Sequence, residues 1–265
     1  MPLFLIYKYN VFSSTAQLYI ILLLMGDFMV ALSIFCIVLL GSFLQANIGF
    51  GFPIIAMMFF PSLFPFSTAV TLNQIIAIAS TALLTVKYWK SIRWKILLPI
   101  LVPSLAIGTL VILYSLSVSS RTLSIILGSS LVVLSIYFAR FSTRITIKAT
   151  IPNGIMMGCI AGLGNGLFGI GGPPVALYLF AAVDKKHEYL ATIQAYFLLC
   201  NVHSILLRSA YGALQVDHIP LIIVGWISIF VGTSLGLRLF NRLPDTFLKR
   251  VVYSFVGISG VWIIV

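Results

Sequence analysis

Apolar stretches about as long as a membrane is thick follow one another along almost the whole chain, and this constrains the fold more than any other feature. A helix rises 1.5 Å per residue, so roughly 20 apolar residues cross the hydrocarbon core of a bilayer. Segments of that kind fill the sequence from Phe28 to Val265. Only 8% of the residues are charged, against about 25% in a soluble domain that must cover itself with water. A water-soluble fold is excluded, and 265 residues leave no space for a soluble catalytic domain beside the spans. The chain reads as an all-α polytopic membrane protein. Residues 1–28 form an N-terminal extension or anchor, because the apolar run 16–24 continues through Gly26 and Asp27 with no small-residue cleavage site.

The formal charge of +11, from 16 Lys and Arg against 5 Asp and Glu, would point to nucleic acid in a soluble protein. Here the basic residues sit in short loops beside apolar runs, where positive-inside placement and anionic lipid headgroups account for them. No nucleic-acid partner is expected; the bilayer is the partner the composition calls for. Cys36, Cys159 and Cys200 lie far apart inside apolar segments, without the spacing of a disulfide framework or zinc site, and read as small core residues. Neither metal nor cofactor is expected.

The sequence also repeats itself. Gly49-Phe50-Gly51-Phe52-Pro53 recurs as Gly169-Ile170-Gly171-Gly172-Pro173, Gln74 recurs as Gln194 at the same offset, and Gly108-Thr109 recurs as Gly232-Thr233 at a slightly larger one. Self-similarity in this order predicts two homologous repeats, residues 29–150 and 151–265, forming one transport domain. Each repeat reads as an interrupted segment followed by three continuous ones, about eight membrane segments in all. In the first these are 28–60, broken near Gly49, then 67–86, 96–116 and 123–139; in the second, 151–183, broken near Gly169, then 190–207, 219–240 and 247–265.

Charge distinguishes a crossing from a re-entrant hairpin at the interrupted segments. If both cross, the basic residues divide almost evenly between the two faces. If both re-enter, Lys8, Arg121 and Arg208 fall on one face and the other 13 of the 16 on the opposite one. The second arrangement satisfies the positive-inside rule and gives equivalent loops alternating charge, as inverted repeats require. It is the preferred reading, with eight crossing helices as the alternative.

The interruptions carry the chemistry. Two glycines one residue apart, then proline, do not continue a helix, whereas proline suits the first turn of a new one. Pro53 and Pro173 are therefore predicted to open short half-helices. Unwound backbone at membrane depth is tolerated only where protein buries it or it lines a wet cavity, which makes Gly49, Gly51, Gly169, Gly171 and Gly172 candidate substrate-binding residues. Close helix packing is the competing role for such glycines. Gln74, Thr81 and Tyr88 stand seven apart on the segment after the first break, and Gln194, Asn201 and Arg208 on the segment after the second. Polar groups in hydrocarbon need partners or a cavity, so Gln74, Gln194 and Asn201 join the candidate site; interhelical hydrogen bonding is the alternative, favoured for Asn73. Gln45, Asn47 and Asn165, just before the breaks, fit either substrate binding or capping of freed backbone groups.

His203 stands well inside an apolar segment. Because imidazole titrates near neutrality, it is the candidate proton relay, with a hydrogen-bonded structural histidine as the other reading. The carboxylates Asp184, Glu188, Asp217 and Asp245 fall in predicted loops, none deep in a repeat. Cation carriers place acids at depth, so the expected substrate is an anion, held by the partial positive charge of paired half-helix N-termini with no buried lysine or arginine.

Gly49-Phe50-Gly51-Phe52 after Gln45, and Gly166-Leu167-Phe168-Gly169-Ile170-Gly171-Gly172-Pro173-Pro174, resemble the signatures of the TauE/SafE sulfite exporter family, also called the toluene-sulfonate uptake permeases. The likeness covers residues 29–265. It implies a secondary transporter, an exporter or permease, of small sulfur-containing or organic anions such as sulfite or organosulfonates in a bacterial inner membrane. Phe52 departs from the third glycine of many members and makes the first break less open. A passive anion channel or a membrane assembly factor is the alternative function. A hydrolase is disfavoured, because Ser204 and His203 are adjacent on a helix and do not face each other.

Overall fold

The computed structural model describes residues 28–46, 51–141, 148–213, 216–239 and 261. Among them every regular element is helical: α1 (Phe28–Ala46), α2 (Phe52–Leu63), α3 (Phe66–Lys87), α4 (Trp94–Ser115), α5 (Ser120–Phe141), α6 (Ile151–Phe168), α7 (Gly172–Ala182), α8 (Lys186–Ala210) and α9 (Ile219–Leu239). Five of them, α1, α3, α4, α8 and α9, are long and apolar enough to cross a membrane. At 1.5 Å per residue, the 12 residues of α2 and the 11 of α7 reach only about 18 and 16 Å, half a bilayer. The expected segment 247–265 lies outside the described residues, apart from helical Val261.

Helices α3 and α8 run antiparallel through the centre. Near the end of α8, Arg208 reaches Ser67 at the start of α3; near its beginning, the Thr192 hydroxyl accepts the Arg93 N–H just beyond α3. Around this pair lie two seams of close backbone approach. Helix α4 runs parallel to α6: side chains at Gly154, Gly158, Gly162 and Gly166 would strike Pro99, Ile100, Ser104 and Gly108 in turn. Helix α9 runs parallel to α1, with Gly232 against Leu39 and Ser42, then Gly236 against Phe43 and Ala46. Small residues permit this spacing where lipid supplies no hydrophobic force between helices.

Both short helices turn back. Helix α7 retraces α6, so the Tyr178 hydroxyl lies 3.1 Å from where a Cβ would stand on Gly154. The chain then enters α8, where Glu188 pairs with Arg93 at 2.6 Å. Helix α2 retraces α1, placing Phe52 and Ile55 against Gly41, and ends with Phe64 edge-on to His218 beside the start of α9, ring centroids 6.1 Å apart. Each broken segment thus returns to the end of the bundle from which it entered, and the two segments occupy opposite ends.

One core cluster gathers around α2 and α3 with Phe52, Met57, Phe60 and Leu72; a second gathers around α4, α7 and α8 with Leu97, Ile100, Leu179 and Tyr196. Large apolar side chains such as Leu110, Phe180, Leu206 and Ile227 stand on the outside, the surface a lipid-facing bundle presents. Three expectations need correction. Glu188 belongs to the first turn of α8, not to a loop. Of the cysteines, only Cys200 is buried and Cys36 is exposed, since a lipid-facing position costs an apolar thiol nothing. Arg208 lies inside α8 and is buried, because the helix runs to Ala210 and not to 207.

Candidate functional site

At the first break Gly51, with φ 145°, occupies backbone space closed to other residues and serves as N-cap of α2, with Pro53 in the first turn. Gln45 reaches across the turn: its Oε1 accepts the Phe52 N–H at 3.2 Å. Of its two expected roles, the capping geometry is the one observed. Gly49 and Asn47 lie outside the described residues.

At the second break Gly169 is left-handed, with φ 70°. The turn lets the Gly169 and Ile170 N–H groups bond to the Asn165 and Gly164 carbonyls, satisfying groups a helix end leaves orphaned. The next carbonyl, Gly166, accepts from Arg208 Nη2. Gly171 caps α7 and Gly172 opens it. Pro173 and Pro174 remove two of the four N–H groups a helix start normally offers, so the terminus keeps its dipole with fewer donors than the duplicated motif implies.

The two breaks face each other. Gly51, Pro53 and Ile54 line one side of a cleft whose other side is Gly169 to Pro173, with Phe197 closing it. The cleft is tight, with room for about one water molecule. A Cβ on Gly171 would stand 3.1 Å from the Tyr196 hydroxyl, 3.1 Å from the Ala161 carbonyl and 3.2 Å from Asn165. Next to Gly169 lie the side chains of Asn73 and Gln74, 3.1 to 3.4 Å from where its Cβ would be. Both amides are buried, 0% and 1% exposed, and all four of their polar atoms lack a partner among the described residues. An unsatisfied buried polar group costs about 1–3 kcal/mol, so this hydrogen-bonding capacity is unmet among the described residues.

Other expected residues are more dispersed. Asn165 is buried against Gly171. Gln194 and Asn201 are buried on α8, with Gln194 about seven residues along the helix from Asn201 and Asn201 as far again from Arg208. His203 shares a 3.0 Å hydrogen bond with Thr109 on α4. Thr81 bonds back to the Ala77 carbonyl of its own helix.

Two features were missed. Tyr196, fully buried, shares a hydrogen bond with Ser104 while its hydroxyl abuts Gly171. An aromatic in an apolar helix gives no sequence signal of such a role. The expectation of no buried cation is overturned by Arg208, 1% exposed. Its place on the helical face of Gln194 and Asn201 was the available signal.

The family model for the sulfite exporter TauE/SafE matches residues 34–263, from within α1 through both breaks and past α9. The chain belongs to the TauE/SafE family. A TauE/SafE protein is a membrane transporter and not an enzyme, and with its apolar spans this chain is a multi-pass membrane protein. Among curated relatives, the probable sulfite/organosulfonate exporter TauE of Cupriavidus necator is 21% identical over 226 residues, covering 83% of this chain and 88% of the relative. No solved structure matches this TauE/SafE member.

Proposed function

We propose that this protein is a secondary transporter of the plasma membrane that carries a small sulfur-containing or organic anion, sulfite or an organosulfonate, bound between the N-termini of α2 and α7. The observation that carries this reading is the pair of buried amides, Asn73 and Gln74, without partners among the described residues and set against Gly169, which itself lines the cleft where the half-helices meet. Helix N-termini attract negative charge, and side-chain amides supply the hydrogen bonds that the Pro173-Pro174 pair withholds. Gly51, Gly169, Gly171 and Gly172 let an oxyanion approach the backbone; Asn165, Gln194 and Asn201 belong to the polar lining around it.

Two inverted repeats, 29–150 and 151–265, agree with the packing. Exchanging the repeats turns the α4 and α6 seam into the α9 and α1 seam and maps the antiparallel α3 and α8 pair onto itself, while the hairpins α1–α2 and α6–α7 enter from opposite ends. Such symmetry supports alternating access around a site at the repeat interface. A cleft with room for about one water is closed to an anion until the breaks separate, which favours a carrier over an open channel or an assembly factor.

Purified protein in proteoliposomes, offered sulfite, organosulfonates and carboxylates, tests this. Uphill accumulation of sulfite or a sulfonate driven by an ion gradient is the expected result. Flux that only dissipates gradients would make the protein a channel, and no flux with any anion would overturn the reading.

A further inference from the structure

Arg208 is the largest fully buried side chain among the described residues. Its guanidinium donates through Nη2 to the Gly166 carbonyl and through Nη1 to the Ser67 hydroxyl at 3.3 Å, while Nε has no partner among the described residues. Both acceptors are neutral, and the ion pairs among the described residues join Glu188 to Arg93 and Lys185, not to Arg208. A buried charge without a counter-charge is strongly unfavourable, most of all in a membrane-spanning helix. The bonds to Gly166 and Ser67 use two of the five N–H groups that a guanidinium carries.

Position supplies the reason. Gly166 is three residues before the left-handed Gly169, and Ser67 is two helical turns before Gln74 on α3. Arg208 therefore stands just beyond the cleft, at the end of α8 remote from Arg93, about 30 Å from Glu188 along the helix axis. We infer that Arg208 is the fixed counter-charge of the transported anion: an oxyanion moving between the cleft and the face remote from Arg93 binds transiently to its guanidinium fork. Two sulfonate or sulfite oxygens match that planar fork, which a lysine ammonium does not reproduce. Two of its donors stay bonded to Gly166 and Ser67, so the grip is partial and the anion is released. This role rests on the cleft being an anion site, and adds a charged residue to it that touches substrate outside the half-helix termini.

The test uses the full protein in proteoliposomes with sulfite and methanesulfonate, comparing wild type with Arg208→Gln and Arg208→Lys. Glutamine keeps a polar side chain with an amide donor and removes the charge. The Gln variant is expected to melt like wild type without anion, to lose the rise in Tm that sulfite gives wild type, and to show a KM for sulfite raised at least tenfold. A Gln variant equal to wild type in KM overturns the role of Arg208 and leaves the cleft standing, since wild type still moves sulfite. Should the Gln variant not fold, the Lys variant decides: charge without the fork predicts a KM raised at least tenfold at unchanged anion-free Tm, and an unchanged KM overturns the proposal. A wild type that moves neither anion overturns the reading of the cleft and this role with it.

Discussion

Gly171 has no space for a side chain: a leucine there would drive into the Tyr196 hydroxyl, the Ala161 carbonyl and Asn165. Gly171→Leu is therefore expected to abolish anion binding, measured as loss of sulfite-dependent thermal stabilisation; a well-folded variant that binds normally would return these glycines to a packing role. Gln74 is fully buried with neither amide atom hydrogen-bonded among the described residues, so Gln74→Leu removes a donor to the anion without breaking a hydrogen bond described within the protein. It is expected to weaken sulfite binding by about 1–3 kcal/mol, the scale of a hydrogen bond to a charged group, while the ligand-free protein becomes no less stable. His203 donates to or accepts from Thr109 at 3.0 Å, and that bond ties α8 to α4. His203→Ala should lower folded yield, anion exchange and gradient-driven flux together; exchange preserved with coupling lost would instead identify a proton relay.

Glycine spacing decides how the elements meet. Helix α6 presents Gly154, Gly158, Gly162 and Gly166 at four-residue intervals to α4, so close that a Cβ on Gly158 would fall within contact of the Ile100 carbonyl, with Pro103 behind it. Backbone cannot yield as a flexible side chain does. Gly158→Leu is expected to separate the helices and cut the yield of monodisperse protein in detergent by tenfold or more, whereas Gly212→Ala, in a turn with nothing within 4 Å but at φ 77°, should cost only the backbone strain of about 1 kcal/mol. Short helices α2 and α7 owe their existence to the same residue type used differently. Gly51 and Gly169 adopt positive φ, ending one helix and starting another at a depth where continuous backbone would otherwise cross.

At the scale of the molecule, the two hairpins enter from opposite ends, and the loop holding Arg93 lies at the same end as Lys185 and Glu188. Arg121, at the start of α5, follows α4 to the other end. Single cysteines introduced at Arg93 and Lys186 in a cysteine-free background should react only with reagent supplied from the cytoplasm, and one at Arg121 only from outside. Opposite accessibility for Arg93 and Lys186 would break the inverted-repeat arrangement. The loop at Arg144 and the segment holding Arg242 carry the same expectation of a cytoplasmic location and fall outside the described residues.

Hydropathy determined that this chain spans a membrane and where most spans begin and end to within a few residues, and the Gly-x-Gly-x-Pro motifs determined where the backbone breaks. These are local properties: apolar length, proline without an N–H and glycine at positive φ act within one or two turns, so the sequence displays them directly. Duplication of the motif pointed to a paired site for the same reason. Only tertiary structure decided what surrounds the two breaks. It set Asn73 and Gln74 from α3 against Gly169 of the other half, brought the Tyr196 hydroxyl to Gly171, assigned Gln45 to the first cap, and buried Arg208 against Gly166 and Ser67. Apart from the Gln45 cap, which closes over seven residues, each is a contact between residues far apart in the chain, where the identity of the neighbour depends on helix direction and tilt, and no short-range pattern encodes either.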